Sequence, residues 1–207
     1  MELQRLTTFK EASTAKDKVF NFDGLWADAF GTPQRTGVWF IYGNSGHGKT
    51  TFVMQLIVKL TQYSRVLFVS YEEGLTSASL QETARRTGLT NVKKRAWICI
   101  DTLAELNERL ERKRSADVIV IDSLEHSEIT KIEQVVELSR KFKNKLFIFI
   151  GQADGNLPMG RLGHDVLHFA NQKIQVEGYR AVNRGRSMGT INYWTIWAEQ
   201  AEIYHSK

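Results

Sequence analysis

Five short runs constrain the fold of this chain more than any other feature: VWFIY at 38–42, VLFV at 66–69, WICI at 97–100, VIVI at 118–121 and LFIFI at 146–150. Each is too short for an ordinary helix and apolar at every position, which predicts a strand covered on both faces. Between them lie segments with helical character, over 50–63 (through Phe52, Leu56 and Leu60), 77–86, 103–114 and 132–142. Strands that alternate with helices in this way predict an α/β fold, with a mostly parallel central sheet and helices on both faces. Beyond Gly160 the texture changes. Residues 173–176 and 191–197 alternate like half-exposed strands and predict a C-terminal antiparallel extension. Residues 1–35 are polar and mixed, apart from an aromatic cluster at Phe20, Phe22, Trp26 and Phe30. We therefore divide the chain into an N-terminal segment, 1–35, suited to an assembly arm, and a core over 36–207.

The first apolar run leads directly into GNSGHGKTT, residues 43–51, and then into the first helix. Gly43, Gly48, Lys49 and Thr50 satisfy the full P-loop pattern, in the strand–loop–helix setting that its mechanism demands. Glycines let consecutive backbone N–H groups curl around a phosphate, and the helix N-terminus adds its positive end. The expected cradle is Gly43, Asn44, Ser45, Gly46, His47, Gly48, Lys49, Thr50 and Thr51. Lys49 is expected on the β- and γ-phosphates of ATP and the Thr50 hydroxyl on Mg²⁺. His47 stands where small residues are usual, and nothing in the pattern explains it.

Three further strand ends carry polar groups. Asp122 closes the run ADVIVID and points to the sheet edge where ligands bind in open α/β folds, so it is expected to hold Mg²⁺ through water. Hydrolysis also needs a group that orients or deprotonates water. Ser123 follows Asp122, so the acid is sought elsewhere; Glu72 is the first choice and Glu73 the second, in FVSYEEG at the end of the second run. Gln152, at the tip of FIFIGQ, is placed to hydrogen-bond a γ-phosphate and report its loss. Residues 153–164, with Arg161 and His164, read as a glycine-rich loop suited to a switch.

Bulk properties narrow the setting. In 207 residues there is one cysteine, Cys99, which leaves no internal disulfide or multi-cysteine zinc site and points to a reducing compartment, the cytoplasm. No run of about 18 apolar residues predicts a membrane span, and the N-terminus lacks the apolar stretch of a signal peptide. A net charge of +5 permits a polyanionic partner without requiring one. Basic groups at Lys93–Arg95, Arg112–Arg114, Arg140–Lys141 and Arg180/Arg184/Arg186 are available for phosphates, although the first three read more simply as solvated faces.

GNSGHGKTTF, FVSYEEG, ADVIVIDSLE and FIFIGQ, in this order, resemble the RecA-type ATPase core, most closely its RadA and DnaB branch. The resemblance implies a RecA-like P-loop fold, Glu72 as catalytic base, Asp122 as the Walker B acid and Gln152 as the polar sensor. VNRGRSMGT at 182–190 is similar to the DnaB-type Lys-x-Arg-x-Gly-x-x-Gly-Thr stretch, which reaches a nucleotide on the neighbouring subunit. That likeness makes Arg184 an arginine finger acting in trans, with Val182 in place of the lysine and Arg186 in place of the middle glycine. Phe9 and Ala12 fit the Phe-x-x-Ala plug of recombinases. The zinc finger and flanking domains of the larger relatives are missing, which resembles the core-only proteins of phages and mobile elements. The expectation is an ATPase that forms a ring or filament with copies of itself and acts on DNA, single-stranded for preference. A regulatory nucleotide switch with a protein partner is the alternative, and a small-molecule kinase a more distant one.

Overall fold

The computed structural model describes residues 5–14 and 18–206. Helices α1 (Phe9–Thr14) and α2 (Gly24–Phe30) precede strand β1 (Gly37–Gly43), which enters α3 (Lys49–Leu60) through the glycine loop. Then follow β2 (Val66–Ser70), α4 (Ala78–Arg86), β3 (Ala96–Cys99), α5 (Leu103–Glu111), β4 (Val118–Asp122), α6 (Ile132–Lys141) and β5 (Leu146–Asp154). The chain finishes with β6 (Leu157–Pro158), α7 (Gly160–Phe169), β7 (Gln172–Glu177), β8 (Arg180–Asn183), β9 (Tyr193–Thr195) and α8 (Ala198–His205).

The sheet runs in the order β3-β2-β4-β5-β1-β7-β8-β9, with β6 paired to the extension of β5. Every pairing from β3 to β7 is parallel, and β7–β8 and β8–β9 are antiparallel. The α/β architecture, parallel centre and antiparallel C-terminal strands are those expected from the sequence. Period-two alternation sorts each central strand between two cores. Trp39 and Ile41 join Phe52, Leu56, Val120 and Ile148 on the α2–α3–α4 face. Val38, Phe40 and Tyr42 join Leu106, Val135, Phe147 and Phe149 on the α5–α6–α7 face. The aromatic cluster of the N-terminal segment belongs to the first of these, with Phe20 and Phe30 buried beside Phe52 and Trp39. By contrast α1 buries none of its residues. The rest of the segment read as an arm includes 1–4 and 15–17, outside the described residues.

The structure corrects several local readings. The run WICI was expected to be covered on both sides, yet β3 is an edge strand with Trp97 and Ile98 47% and 42% exposed. An apolar run reports which side chains avoid water; it carries no information on whether a neighbouring strand exists on each side. Residues 173–176, expected as a half-exposed strand of the antiparallel extension, form the middle of β7, which pairs antiparallel with β8 on one side, parallel with β1 on the other, and is mostly buried. β8, its antiparallel partner, lies in a stretch where no strand was expected from the sequence. The loop expected over 153–164 is mostly regular: β5 continues to Asp154, and α7 begins at Gly160. Of its glycines, Gly155 and Gly160 take positive φ with open space around them, while Gly163 serves packing, since a Cβ there would stand 3.0 Å from the Pro158 ring.

The second core face depends on aromatic packing along β5. Phe147 is fully buried, with its ring centroid 6.3 Å from Phe142 and 6.4 Å from Phe149. Truncation there leaves a cavity that a parallel sheet flanked by helices has little freedom to close. Phe147→Ala is expected to lower unfolding free energy by about 3–5 kcal/mol in denaturant titration, with secondary structure retained at zero denaturant.

Candidate nucleotide-binding site

The tips of three adjacent parallel strands define the site. Gly43 of β1 stands level with Gln152 of β5 on one side and Val176 of β7 on the other. A Cβ on Gly43 would lie 2.1 Å from the Val176 carbonyl oxygen, so only glycine allows β7 to approach this closely. The loop then turns through Gly46 and Gly48 at φ of 79° and 95°, and α3 starts at Lys49. His47, unexplained in sequence, has a structural partner: its Nδ1 accepts the Gly178 N–H at 3.1 Å. Its ring also meets Tyr204 of α8 edge-on at 5.4 Å. The residue thus ties the loop to the β7–β8 turn and the C-terminal helix.

Lys49 sits at the centre. Its ammonium donates to the carbonyl oxygens of Gly43 at 2.7 Å and Asn44 at 3.0 Å, and to Gln152 Oε1 at 3.0 Å. Burial holds the Lys49 pKa below the ordinary lysine value, and the charges of Glu72, Asp122 and Glu125 oppose that shift. Asp122, at the end of β4, is 8% exposed. Burial, reinforced by the charges of Glu72 and Glu73, pushes its carboxyl up to about 7. The backbone N–H groups of Tyr71 and Glu72 both donate to the Asp122 carbonyl oxygen, at 2.6 and 3.2 Å, binding the ends of β2 and β4 together.

The two candidate bases are held differently. Glu73 accepts hydrogen bonds from the hydroxyls of Ser77 and Ser79, which commits its carboxylate to the turn before α4. Glu72 stands beside His126, with Nδ1 at 4.0 Å from Oε2, and His126 Nδ1 is also 2.8 Å from Ser123 Oγ. Glu125 was not singled out from sequence. Its Oε1 accepts the backbone N–H of Gln152 at 2.7 Å, bracing the strand tip that presents this residue. The only signal for it was its place three residues after Asp122, in the turn the strand must make.

Lys49, Thr50, Thr51, Glu72, Asp122 and Gln152 all line one cleft of about 300 Å³. Sequence reasoning also passed over the far wall of this cleft. There Arg86 of α4 donates from Nη2 to Thr51 Oγ1 at 3.0 Å, opposite Tyr179 and Trp197. Arg184 does not line it. It is exposed just beyond β8, with Nε 3.4 Å from Gln175 Oε1. A larger cavity, about 630 Å³, opens beside β3 between Leu75, Leu80 and Trp97, but its walls are mainly apolar and it lacks the groups that chemistry on phosphate needs.

The donor set suits Mg²⁺. Thr50 and Asp122 offer hard oxygen ligands, and the carboxylates of Glu72, Asp122 and Glu125 surround a single ammonium. Among the described residues no three His, Cys, Asp or Glu side chains are grouped to hold a metal by themselves. A cation that takes one or two protein oxygens and completes its shell with phosphates and water needs no such group. Among these same residues no helix is long and apolar enough to cross a membrane.

The raised Asp122 pKa gives a pH dependence of definite sign. Between about 4 and 7 the folded protein retains a proton that the unfolded chain has released, so stability falls as pH rises through that window. In metal- and nucleotide-free buffer, Asp122→Asn is expected to remove this decline and to melt above the wild type at pH 8, measured by thermal unfolding across pH 4–8. A variant no more stable than wild type at pH 8 would contradict the charge crowding described here.

The profile of the family described as "AAA domain" matches residues 37–155, from the start of β1 to just past β5. The fold is also similar to the crystal structure of flagellar accessory protein FlaH from Methanocaldococcus jannaschii. The TM-score is 0.59 over 87% of this chain and 92% of that one, at 15% identity. No curated protein matches the sequence. With the matched segment covering more than half of its length and carrying the loop, Glu72, Asp122 and Gln152, the chain belongs to the AAA domain family of P-loop ATPases and has a RecA-like fold.

Proposed function

We propose that this protein is a Mg²⁺-dependent ATPase that assembles with copies of itself and acts on single-stranded DNA in recombination, repair or replication. The observation that carries the hydrolytic part is the convergence of Lys49, Asp122, Glu72 and Gln152 on one cleft at the carboxyl edge of a parallel sheet. Glu72 takes the proton from the attacking water, its carboxylate being the less committed of the two acids on that strand end. Lys49 neutralises charge on the transferred phosphoryl group, and Gln152, which shares a hydrogen bond with Lys49, senses the γ-phosphate. Mg²⁺, when bound, supplies further charge neutralisation at the phosphates, and Thr50 and Asp122 are the residues to hold it.

The assembly and DNA parts rest on the likeness of 182–190 to the DnaB-type stretch and on placement. Arg184 is exposed and outside its own cleft, as a group serving a neighbouring subunit must be. Phe9 is 96% exposed on a helix that buries nothing, and the apolar cavity beside β3 is of a kind that such a side chain from another copy fits. A net charge of +5 is compatible with a polyanionic partner. Of the basic groups, Arg95, Arg112 and Lys141 are engaged within the chain, with the Thr61 carbonyl, Glu108 and Glu111. Arg184 and Arg186 are exposed cations available for phosphates.

Turnover of ATP with and without single-stranded DNA, alongside mass in solution, tests the whole reading. An oligomer whose turnover rises with DNA is the expected result, and Lys49→Ala is expected to lower turnover by about 100-fold or more. DNA-indifferent turnover would favour a nucleotide switch with a protein partner, and phosphate transfer to a nucleoside in place of water would favour a kinase. Trans action has its own check. Mixing Arg184→Ala with Glu72→Ala subunits is expected to restore part of the activity that each lacks alone, because some interfaces then pair an intact Glu72 with an intact Arg184.

A further inference from the structure

A P-loop positions phosphates but leaves open what holds the rest of a nucleotide, and the far wall of this cleft has its own construction. Lys49, Thr50 and Thr51 are consecutive on the first turn of α3, and Lys49 reaches Gln152 Oε1 at 3.0 Å. Thr51, in contrast, is reached by Arg86 at 3.0 Å, whose guanidinium carbon lies 5.4 Å from the centroid of the Trp197 ring. A triphosphate with its terminal group toward Asp122 and Gln152 therefore directs its sugar and base toward Arg86 and Trp197.

Trp197 is mounted as a rigid surface. Tyr179 meets it edge-on, with ring centroids 6.1 Å apart and planes at 78°. The Ile196 N–H donates to the Tyr179 carbonyl oxygen at 2.8 Å, and Gln55 of α3 donates to the Ile196 carbonyl oxygen at 3.2 Å. Two independent bonds thus fix the wall to the β7–β8 turn and to the helix that begins at the loop. The wall also closes on the loop itself: a Cβ on Gly48 would stand 3.3 Å from Tyr179 and 3.4 Å from Ile196. Yet Trp197, the largest apolar side chain of this wall, remains 43% exposed at the cleft mouth. A fixed, flat, electron-rich ring flanked by a guanidinium is a surface for another planar aromatic group.

We propose that Trp197, braced by Tyr179 and flanked by Arg86, is the platform on which the nucleobase of the bound nucleotide stacks. The inference rests on the nucleotide-binding reading and adds the part of the ligand that the P-loop does not recognise. Stacking is a contact between faces and independent of the phosphate contacts, so the two are separable by removing the base from the ligand.

The test compares ATP with inorganic tripolyphosphate, each with Mg²⁺, on wild type, Trp197→Ala and Trp197→Phe, by calorimetry. Trp197→Ala is expected to weaken ATP about tenfold or more while leaving tripolyphosphate unchanged. Trp197→Phe is expected to recover most of the ATP affinity, because a phenyl ring still stacks. In parallel, ATP is expected to quench tryptophan fluorescence in wild type and much less in Trp197→Phe. Equal losses for both ligands, or no loss for ATP, would overturn the platform while leaving the phosphate site standing. Failure of wild type to bind either ligand would instead overturn the nucleotide reading on which the platform depends.

Discussion

The register of β1 between β5 and β7 is the constraint on which the rest of this structure depends. Gly43, Gln152 and Val176 stand level across three parallel strands, and that alignment brings the Gln152 amide within 3.0 Å of the Lys49 ammonium. A one-residue slip would turn Gln152 to the opposite face and move Phe40 and Ile41 out of their separate cores. The lack of a side chain at Gly43 is part of the same constraint, because the Val176 carbonyl occupies the space that a Cβ would need. Packing on the two faces and chemistry at the edge are therefore set by one alignment.

Electrostatics at that edge runs against stability. A carboxylate 8% exposed is placed among further carboxylates with one lysine for compensation, and its pKa rises accordingly. Isolated, such an arrangement costs free energy; a site that binds a divalent cation and polyphosphate exchanges that cost for affinity. The hydrogen bonds around it confine the frustration. Glu73 is committed to Ser77 and Ser79, Glu125 to the Gln152 backbone, and the β2 and β4 ends are joined through the Asp122 carbonyl, leaving Glu72 comparatively unrestrained.

Much of this was legible along the chain. The apolar runs located β1, β2, β4 and β5, and the P-loop pattern located the turn from β1 into α3, because both are local properties of backbone and side-chain chemistry. Asp122, Glu72 and Gln152 were recognisable since each ends an apolar run in a parallel sheet, where strand ends share an edge. Trp197 and Arg86 were not. They lie far apart in sequence, on α4 and at the start of α8, and neither forms part of a spaced pattern. The same limit hid the burial of β7, whose half-polar alternation suggests a half-exposed strand although it lies between β8 and β1 and is mostly buried. It also hid α7, because glycine in a short segment reads as a turn until a packing partner such as Pro158 is known.

By itself, then, the amino-acid sequence determined the alternation of strands and helices, the phosphate loop and the polar groups at the strand ends, all of them consequences of residues within a few positions of one another. Only the tertiary structure decided which strands became edges, how His47 is used, which of two adjacent glutamates faces the cleft freely, and what stands opposite the loop. Apart from the local bonds that hold Glu73, those outcomes depend on contacts between segments separated by scores of residues, such as His47 with Gly178 and Arg86 with Trp197. No local propensity encodes such contacts, because they exist only once the two cores have closed around the sheet.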